Sequence, residues 1–280
     1  MTCLICSSPD ITREGDYIHC NACDYWASNL AADVENTSAP DEEYDLISYE
    51  HTRRENYNAI LDELAKRHPR GSSLCEVGCA DGLFLQMARD RGYTGIGIEP
   101  NTKMMAGNQH GMEIRRGFFP DVLQPGDGPF DIIALNCVFE HVPDVEALIE
   151  AFKKHLAPGG SVMINVPVSS GLMFKLSRAM YKARVRYPFD RIWQKGFVSP
   201  HLHYFEKSTL TRLFQKHGMS LVGEAKLALF SLGGVYKRLS LDPNIRFAQR
   251  IAALGSLYAY YPISKLMPDA GAFLFAQAKN

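Results

Sequence analysis

The chain has 280 residues, enough for one large domain with an appendage or for two small ones, and its 30 basic and 31 acidic side chains leave a formal net charge of -1. That balance argues against general nucleic-acid affinity while leaving room for a local basic face. The sequence shows no run of eighteen uncharged apolar residues and no basic, apolar and cleavable leader, so a cytoplasmic protein is expected.

Seven cysteines occur, four of them in the pairs Cys3-x-x-Cys6 and Cys20-x-x-Cys23, with Cys75, Cys79 and Cys137 in apolar surroundings. An odd count arranged this way favours metal plus buried thiols over disulfides. Two such pairs have the spacing of two knuckles that place four thiolates around one zinc ion, and a segment this small would take most of its folding energy from the metal. A redox dithiol is the competing reading; two pairs at ribbon spacing disfavour it. With four protein ligands the site would be closed, which makes the expected zinc structural. Residues 1–27 are therefore read as a zinc ribbon and 28–48, rich in Ala, Asn, Ser, Asp and Glu, as a linker. Tyr44 and Tyr49 at its end either fold over a bound ligand or pack on the domain surface.

Beyond the linker, Tyr57, Ile60, Leu61 and Leu64 fall at helical spacing and predict an amphipathic helix that stops before Pro69. The chain then alternates. A strand over Ser73 to Val77 runs into Gly78-Cys79-Ala80-Asp81-Gly82, followed by a helix over Leu83 to Arg91 and a strand over Thr94 to Ile98 that delivers Glu99. Small residues in the turn let backbone pass close to a ligand, and an acidic residue about 20 positions on is placed for the hydroxyls of a ribose. The dinucleotide spacing G-x-G-x-x-G fails, because Ala80 and Leu83 occupy its second and third glycine positions. A short helix over 102–109, a strand over Met112 to Arg116, a loop holding Phe118 and Phe119, and a strand over Phe130 to Leu135 follow. Asp144 is a candidate cap for a helix carrying Leu148, Ile149, Phe152 and Leu156, which Pro158-Gly159-Gly160 ends before a strand over Ser161 to Val166. Such alternation predicts a doubly wound parallel α/β sheet.

Five motifs stand in one order: Glu76-Val-Gly-Cys-Ala-Asp-Gly82, Gly97-Ile-Glu-Pro100, Phe130-Asp-Ile-Ile133, Phe139-Glu-His-Val-Pro-Asp144 and Leu156-Ala-Pro-Gly-Gly160. In that order they resemble class I S-adenosylmethionine-dependent methyltransferases, most closely over residues 49–166, and the ribbon start is similar to a bacterial subgroup associated with glycan or secondary-metabolite modification. The resemblance implies a Rossmann-like seven-stranded sheet with an antiparallel last strand, supplied here by Met219 to Ala225 and Ala272 to Ala278, within a methyltransferase domain spanning 49–280. It carries cofactor contacts onto Glu76, Gly78, Ala80, Gly82, Glu99, Phe118 and Asn136, with Phe118 or Phe119 against the adenine and the other free for a core role.

Two insertions remain, at 169–200 and 227–271. The first sets seven basic side chains against the single acid Asp190 and interleaves aromatic residues. It reads either as a lid over an anionic acceptor, such as a nucleotide sugar or phosphorylated glycan, or as a solvated amphipathic helix. The second, apolar and split by basic residues, is explained equally by a homodimer surface, a lid or peripheral membrane contact. Ser208 is the expected cap of a helix over Thr209 to His217.

Methyl transfer from a sulfonium is an in-line displacement that needs alignment and shielding more than side-chain chemistry. A hydroxyl acceptor must lose its proton, and His203 and His141 are the candidate bases, with His201 ranked behind them and a structural role weighed against each. The Asn-Pro-Pro-Tyr of amino-methylating enzymes is absent after Asn136, and Cys137 lacks the preceding proline expected for cytosine C5 chemistry. The expected activity is methylation of a hydroxyl on a sugar or other small metabolite. A zinc-ribbon RNA methyltransferase and a non-catalytic S-adenosylmethionine-binding protein are the alternatives.

Overall fold

The structure is a computed structural model and describes residues 1–31, 50–101, 105, 111–228, 255 and 267–277. The expected linker with Tyr44 and Tyr49, the helix over 102–109 and most of the second insertion lie outside the described residues.

Two sheets organise the rest. A small antiparallel sheet contains β1 (Ile11–Glu14), β2 (Tyr17–Cys20) and β3 (Trp26–Ser28). The large sheet has seven strands: β4 (Ser73–Val77), β5 (Thr94–Glu99), β6 (Ile114–Arg116), β7 (Phe130–Asn136), β8 (Leu156–Pro167), β10 (Met219–Leu227) and β11 (Ala270–Gln277). Their spatial order is β10-β11-β8-β7-β4-β5-β6, parallel from β8 to β6, with β11 antiparallel to both β8 and β10. This is the expected seven-stranded sheet, antiparallel at one edge.

Period-two alternation explains why both faces are covered. On β7, Ile133 and Leu135 enter the core on one face, while Ile132 and Ala134 enter the other. The first face packs under α3 (Val145–His155) and α6 (Lys207–Lys216), through Ile149, Phe152, Leu210, Leu213 and Phe214. The second packs under α1 (Glu50–Ala65) and α2 (Leu83–Asp90), through Ile60, Leu61, Leu64, Leu83 and Phe84. Asp144 caps α3 as expected, its carboxylate accepting the Ala147 N–H at 2.9 Å. The cap of α6 differs from expectation. Its N-cap residue is Glu206, two positions before Ser208, and the Glu206 N–H donates to Thr209 Oγ1 at 2.8 Å. Thr209 thus completes the turn that a serine was expected to start.

The ribbon shares its sheet with the larger domain. Its fourth strand is β9 (His203–Tyr204), which pairs antiparallel with β3 through Trp26 to Tyr204 and Ala27 to His203. Between the two sits a third core of Tyr17, Trp26, Phe174, Phe189, Trp193 and Tyr204. Phe174 belongs to α4 (Leu172–Lys182) and Phe189 to α5 (Tyr187–Ile192). The first insertion therefore turns these aromatic side chains toward the ribbon. Asp190 accepts the Tyr17 hydroxyl at 2.6 Å, and the Arg178 guanidinium lies 4.5 Å from the centre of the Trp26 ring. No helix among the described residues is long and apolar enough to cross a membrane.

Candidate functional site

The turn after β4 is held in a shape that few sequences can adopt. Gly78, Ala80 and Gly82 all have positive φ, at 71°, 47° and 78°. A side chain on Gly78 would also meet Val138 Cγ2 at 2.4 Å, so the backbone there is pressed against the turn that follows β7. From the β4 turn the Gly78 and Cys79 N–H groups donate to the Ile98 carbonyl at 2.7 and 3.2 Å, tying the loop to β5.

Two carboxylates frame it. Glu76 is buried, and its Oε1 accepts Asn136 Nδ2 at 2.9 Å. Its Oε2 is buried without a hydrogen-bond partner among the described residues, which suits a donor supplied by a bound ligand. Burial pushes the Glu76 carboxyl up to about 8, against the opposing pull of the Asn136 hydrogen bond and the Arg53 charge. Glu99 ends β5, and its two oxygens accept the Ala80 N–H at 2.9 Å and the Asn101 N–H at 2.8 Å. Those bonds orient the carboxylate at the rim of the loop, where a diol would be read.

Arg53, which sequence reading missed, fastens the loop from outside. Its guanidinium makes a two-pronged contact with Asp81, Nη1 to Oδ2 at 3.0 Å and Nη2 to Oδ1 at 2.5 Å, and its Nε reaches the Tyr57 hydroxyl at 3.3 Å. A signal was present: Arg53 stands one helical turn before Tyr57 on the buried stripe of α1, where an apolar residue would be expected. Asn165, also missed, donates to Asn136 Oδ1 at 3.3 Å from the next strand. Of the two phenylalanines after β6, Phe119 takes the core role, 5.7 Å from Phe152, and Phe118 is 48% exposed.

The candidate bases are placed differently from one another. His203 is buried with both ring nitrogens engaged: Nε2 donates to the Val142 carbonyl at 2.9 Å, and Nδ1 meets the Tyr25 hydroxyl. In this geometry both nitrogens are engaged within the chain. His203 ties the ribbon to the β7 turn. His141 is only partly buried; its Nδ1 faces the Pro200 carbonyl at 3.0 Å, and its Nε2 lies 4.0 Å from Glu140 Oε1. Burial lowers the pKa of each of these two imidazoles to about 4.

In the ribbon, the sulfurs of Cys3, Cys6, Cys20 and Cys23 lie within 4.8 Å of one another, with Cys3 to Cys23 at 3.6 Å and Cys6 to Cys20 at 3.5 Å. Thiolates bound tetrahedrally at about 2.3 Å stand about 3.7 Å apart, so this cluster fits zinc. The Ile5 N–H points at Cys3 Sγ from 3.3 Å, as in a metal knuckle.

This loop, with an acidic partner at the end of the second strand of a seven-stranded sheet, defines a class I methyltransferase domain. A family model described as "Methyltransferase domain" matches residues 49–224, and the chain belongs to that family of S-adenosylmethionine-dependent methyltransferases. Among curated relatives, the ubiquinone biosynthesis O-methyltransferase of Xylella fastidiosa is 33% identical over 151 residues, covering 50% of this chain and 61% of that protein. The C-methyltransferase NovU of Streptomyces niveus is 27% identical over 158 residues, covering 54% of this chain and 34% of that protein. The chain thus spans less than two thirds of the length of either. A Geobacter sulfurreducens methyltransferase solved with S-adenosyl-L-homocysteine shares the fold at a TM-score of 0.50 and 17% identity, with 80% of this chain and 91% of that one covered.

Two outcomes follow from the carboxylates. Glu99→Ala should weaken S-adenosylmethionine binding by about 1 to 3 kcal/mol, read by calorimetry; unchanged affinity would remove Glu99 from the ribose contact. For Glu76, the ordinary value of 4.5 applies to the unfolded chain and about 8 to the folded one. Between those two values the folded state binds more protons than the unfolded, so stability falls as pH rises, and the penalty is complete above about 8. Urea unfolding across this window should show a shallower decline for Glu76→Gln than for the natural protein, and equal slopes would contradict the shift.

Proposed function

We propose that the protein transfers a methyl group from S-adenosylmethionine to a hydroxyl of a sugar or other small metabolite. The observation that carries this reading is the cofactor loop itself: three left-handed residues, the first of them pressed on Val138, with the orphaned Glu76 oxygen and the oriented Glu99 carboxylate on its two sides. The O-methyl transfer named for the Xylella relative supports an oxygen acceptor.

When bound, the cofactor supplies an electrophilic methyl group on a sulfonium. The residues of this chain would bind and orient. Glu99 would hold the ribose diol, Glu76 with Asn136 would meet the polar end of the ligand, and the exposed Phe118 would cover the adenine. Arg53, through Asp81, keeps the loop from opening. His141 stands on the β7 turn at the same end of the strands and would line the acceptor side.

Zinc in the four-cysteine cluster would be structural, because four thiolates leave no open position. Metal analysis should give one zinc in the ribbon, and Cys20→Ser should lose it; full occupancy in that variant would contradict the four-thiolate site.

The acceptor is tested by incubating the protein with methyl-labelled donor and separate pools of nucleotide sugars, phosphorylated glycans and phenolic alcohols, followed by product mass and position. A methyl ether is the expected product. Methylation on carbon or nitrogen alone would overturn the hydroxyl reading while leaving the methyltransferase family intact.

A further inference from the structure

A second cluster of metal-ligating groups lies outside the ribbon. Glu140, His141 and His201 each present a ligand atom within 4.8 Å of the others. They come from two places in the chain: the 3-10 turn Phe139–His141 that follows β7, and the segment leading into β9.

The Glu140 side chain is the first anomaly. It is 1% exposed, and neither carboxylate oxygen has a hydrogen-bond partner among the described residues. A buried carboxylate with no partner costs several kcal/mol or more, which a cation would offset. Nothing in the cofactor loop uses it.

The imidazoles are the second. His141 Nδ1 meets the Pro200 carbonyl at 3.0 Å and the Ser199 hydroxyl at 3.1 Å; the carbonyl, which can only accept, favours the proton on Nδ1 and leaves Nε2 4.0 Å from Glu140 Oε1. His201 Nδ1 is buried without a hydrogen-bond partner among the described residues. Each histidine thus has a ring nitrogen without a hydrogen bond among the described residues, and on His141 the other nitrogen is held by its neighbours, as on metal-binding histidines.

The backbone holds the two segments in register. The Leu202 N–H donates to the Glu140 carbonyl at 2.8 Å, and the His203 ring reaches the Val142 carbonyl at 2.9 Å. Ligands bound at about 2.0 to 2.2 Å stand about 3 to 4 Å apart, so closing on an ion asks for side-chain rotations on the order of 1 Å.

We propose that Glu140, His141 and His201 form a binding site for one divalent first-row transition-metal ion, separate from the ribbon cysteines. Two imidazoles and one carboxylate suit zinc, iron, cobalt or nickel better than magnesium, and three protein ligands leave positions open to exogenous oxygen. His141 is the member nearest solvent, so such oxygens would enter on its side. The site does not depend on the acceptor proposed above. Should that acceptor be a hydroxyl, a bound metal would ease the loss of its proton.

The test uses the full chain with zinc in the ribbon, titrated with cobalt(II) in the absence of methyl donor and acceptor. The expected result is one further cobalt per chain, with ligand-field absorption and no thiolate charge-transfer band. Glu140→Gln and His141→Gln should each bind it at least ~10-fold more weakly. Circular dichroism and S-adenosylmethionine binding would show that the variants fold; if Glu140→Gln does not, His141→Gln carries the comparison. The proposal is overturned by the absence of a second equivalent at millimolar cobalt, by thiolate bands on the second equivalent, or by equal affinity in a folded variant. Because neither donor nor acceptor is present, a negative result here leaves the hydroxyl reading to its own experiment.

Discussion

The pairing of β3 with β9 is the constraint on which the placing of the 201–203 segment against the β7 turn depends. Two rungs of backbone join the ribbon to the segment that carries His201 and His203, and two rungs alone would be marginal in water. What makes the join firm is the aromatic core beneath it. Trp26, Phe189 and Trp193 are almost fully buried, and each such side chain removes a large apolar area from water. Ser28 extends the contact by donating its N–H to the Leu202 carbonyl at 2.9 Å and its hydroxyl to the His201 carbonyl at 2.8 Å. The ribbon thereby sets the height of the 201–203 backbone, which in turn meets the Glu140 carbonyl through the Leu202 N–H and the Val142 carbonyl through the His203 ring.

The same turn is shared with the cofactor loop. Val138 touches the bare face of Gly78, while Glu140 and His141, two and three positions later, face the ribbon side. A change at residue 138 would therefore be felt in both directions. On the loop side the structure tolerates an expensive buried carboxylate at Glu76, partnered by Asn136 and lying in the field of Arg53. A buried carboxyl of this kind, pushed up to about 8, lowers stability once it ionises and leaves an acceptor oxygen for a ligand to complete.

Much of the fold was legible because strands buried on both faces read as short apolar runs and helices as apolar stripes. β4, β7 and α2 fall within a residue or so of expectation for that reason. The loop was legible because small residues at 78, 80 and 82 have a steric cause that the structure displays. The partners of those residues were harder to see. Arg53, Asn165 and Glu140 act through contacts between segments distant in sequence, and no local pattern announces such a contact. His203 shows the same limit: its place before the last helix does not tell that Tyr25 and Val142 stand at its two nitrogens. The aromatic residues of the first insertion likewise looked like a lid because their partner, the ribbon, lies more than 140 positions away.

That last point changes what the basic insertion can contribute. Arg178 lies over Trp26, Lys195 pairs with Asp16 at 2.7 Å, and Asp190 is taken by Tyr17. These side chains are part of how α4, α5 and the following turn hold the ribbon, and a charge already engaged in packing gives little to a ligand. Lys175, Lys182, Arg184 and Arg186 are exposed, and their pull on an anionic acceptor would be long-range and screened by salt. Short-range selection of a ligand would instead fall to groups that are buried, oriented and incompletely satisfied, since these lose energy when the wrong molecule leaves them unpaired. At the β7 turn, Glu140 and His201 are groups of that kind, and both are positioned by the β3–β9 join.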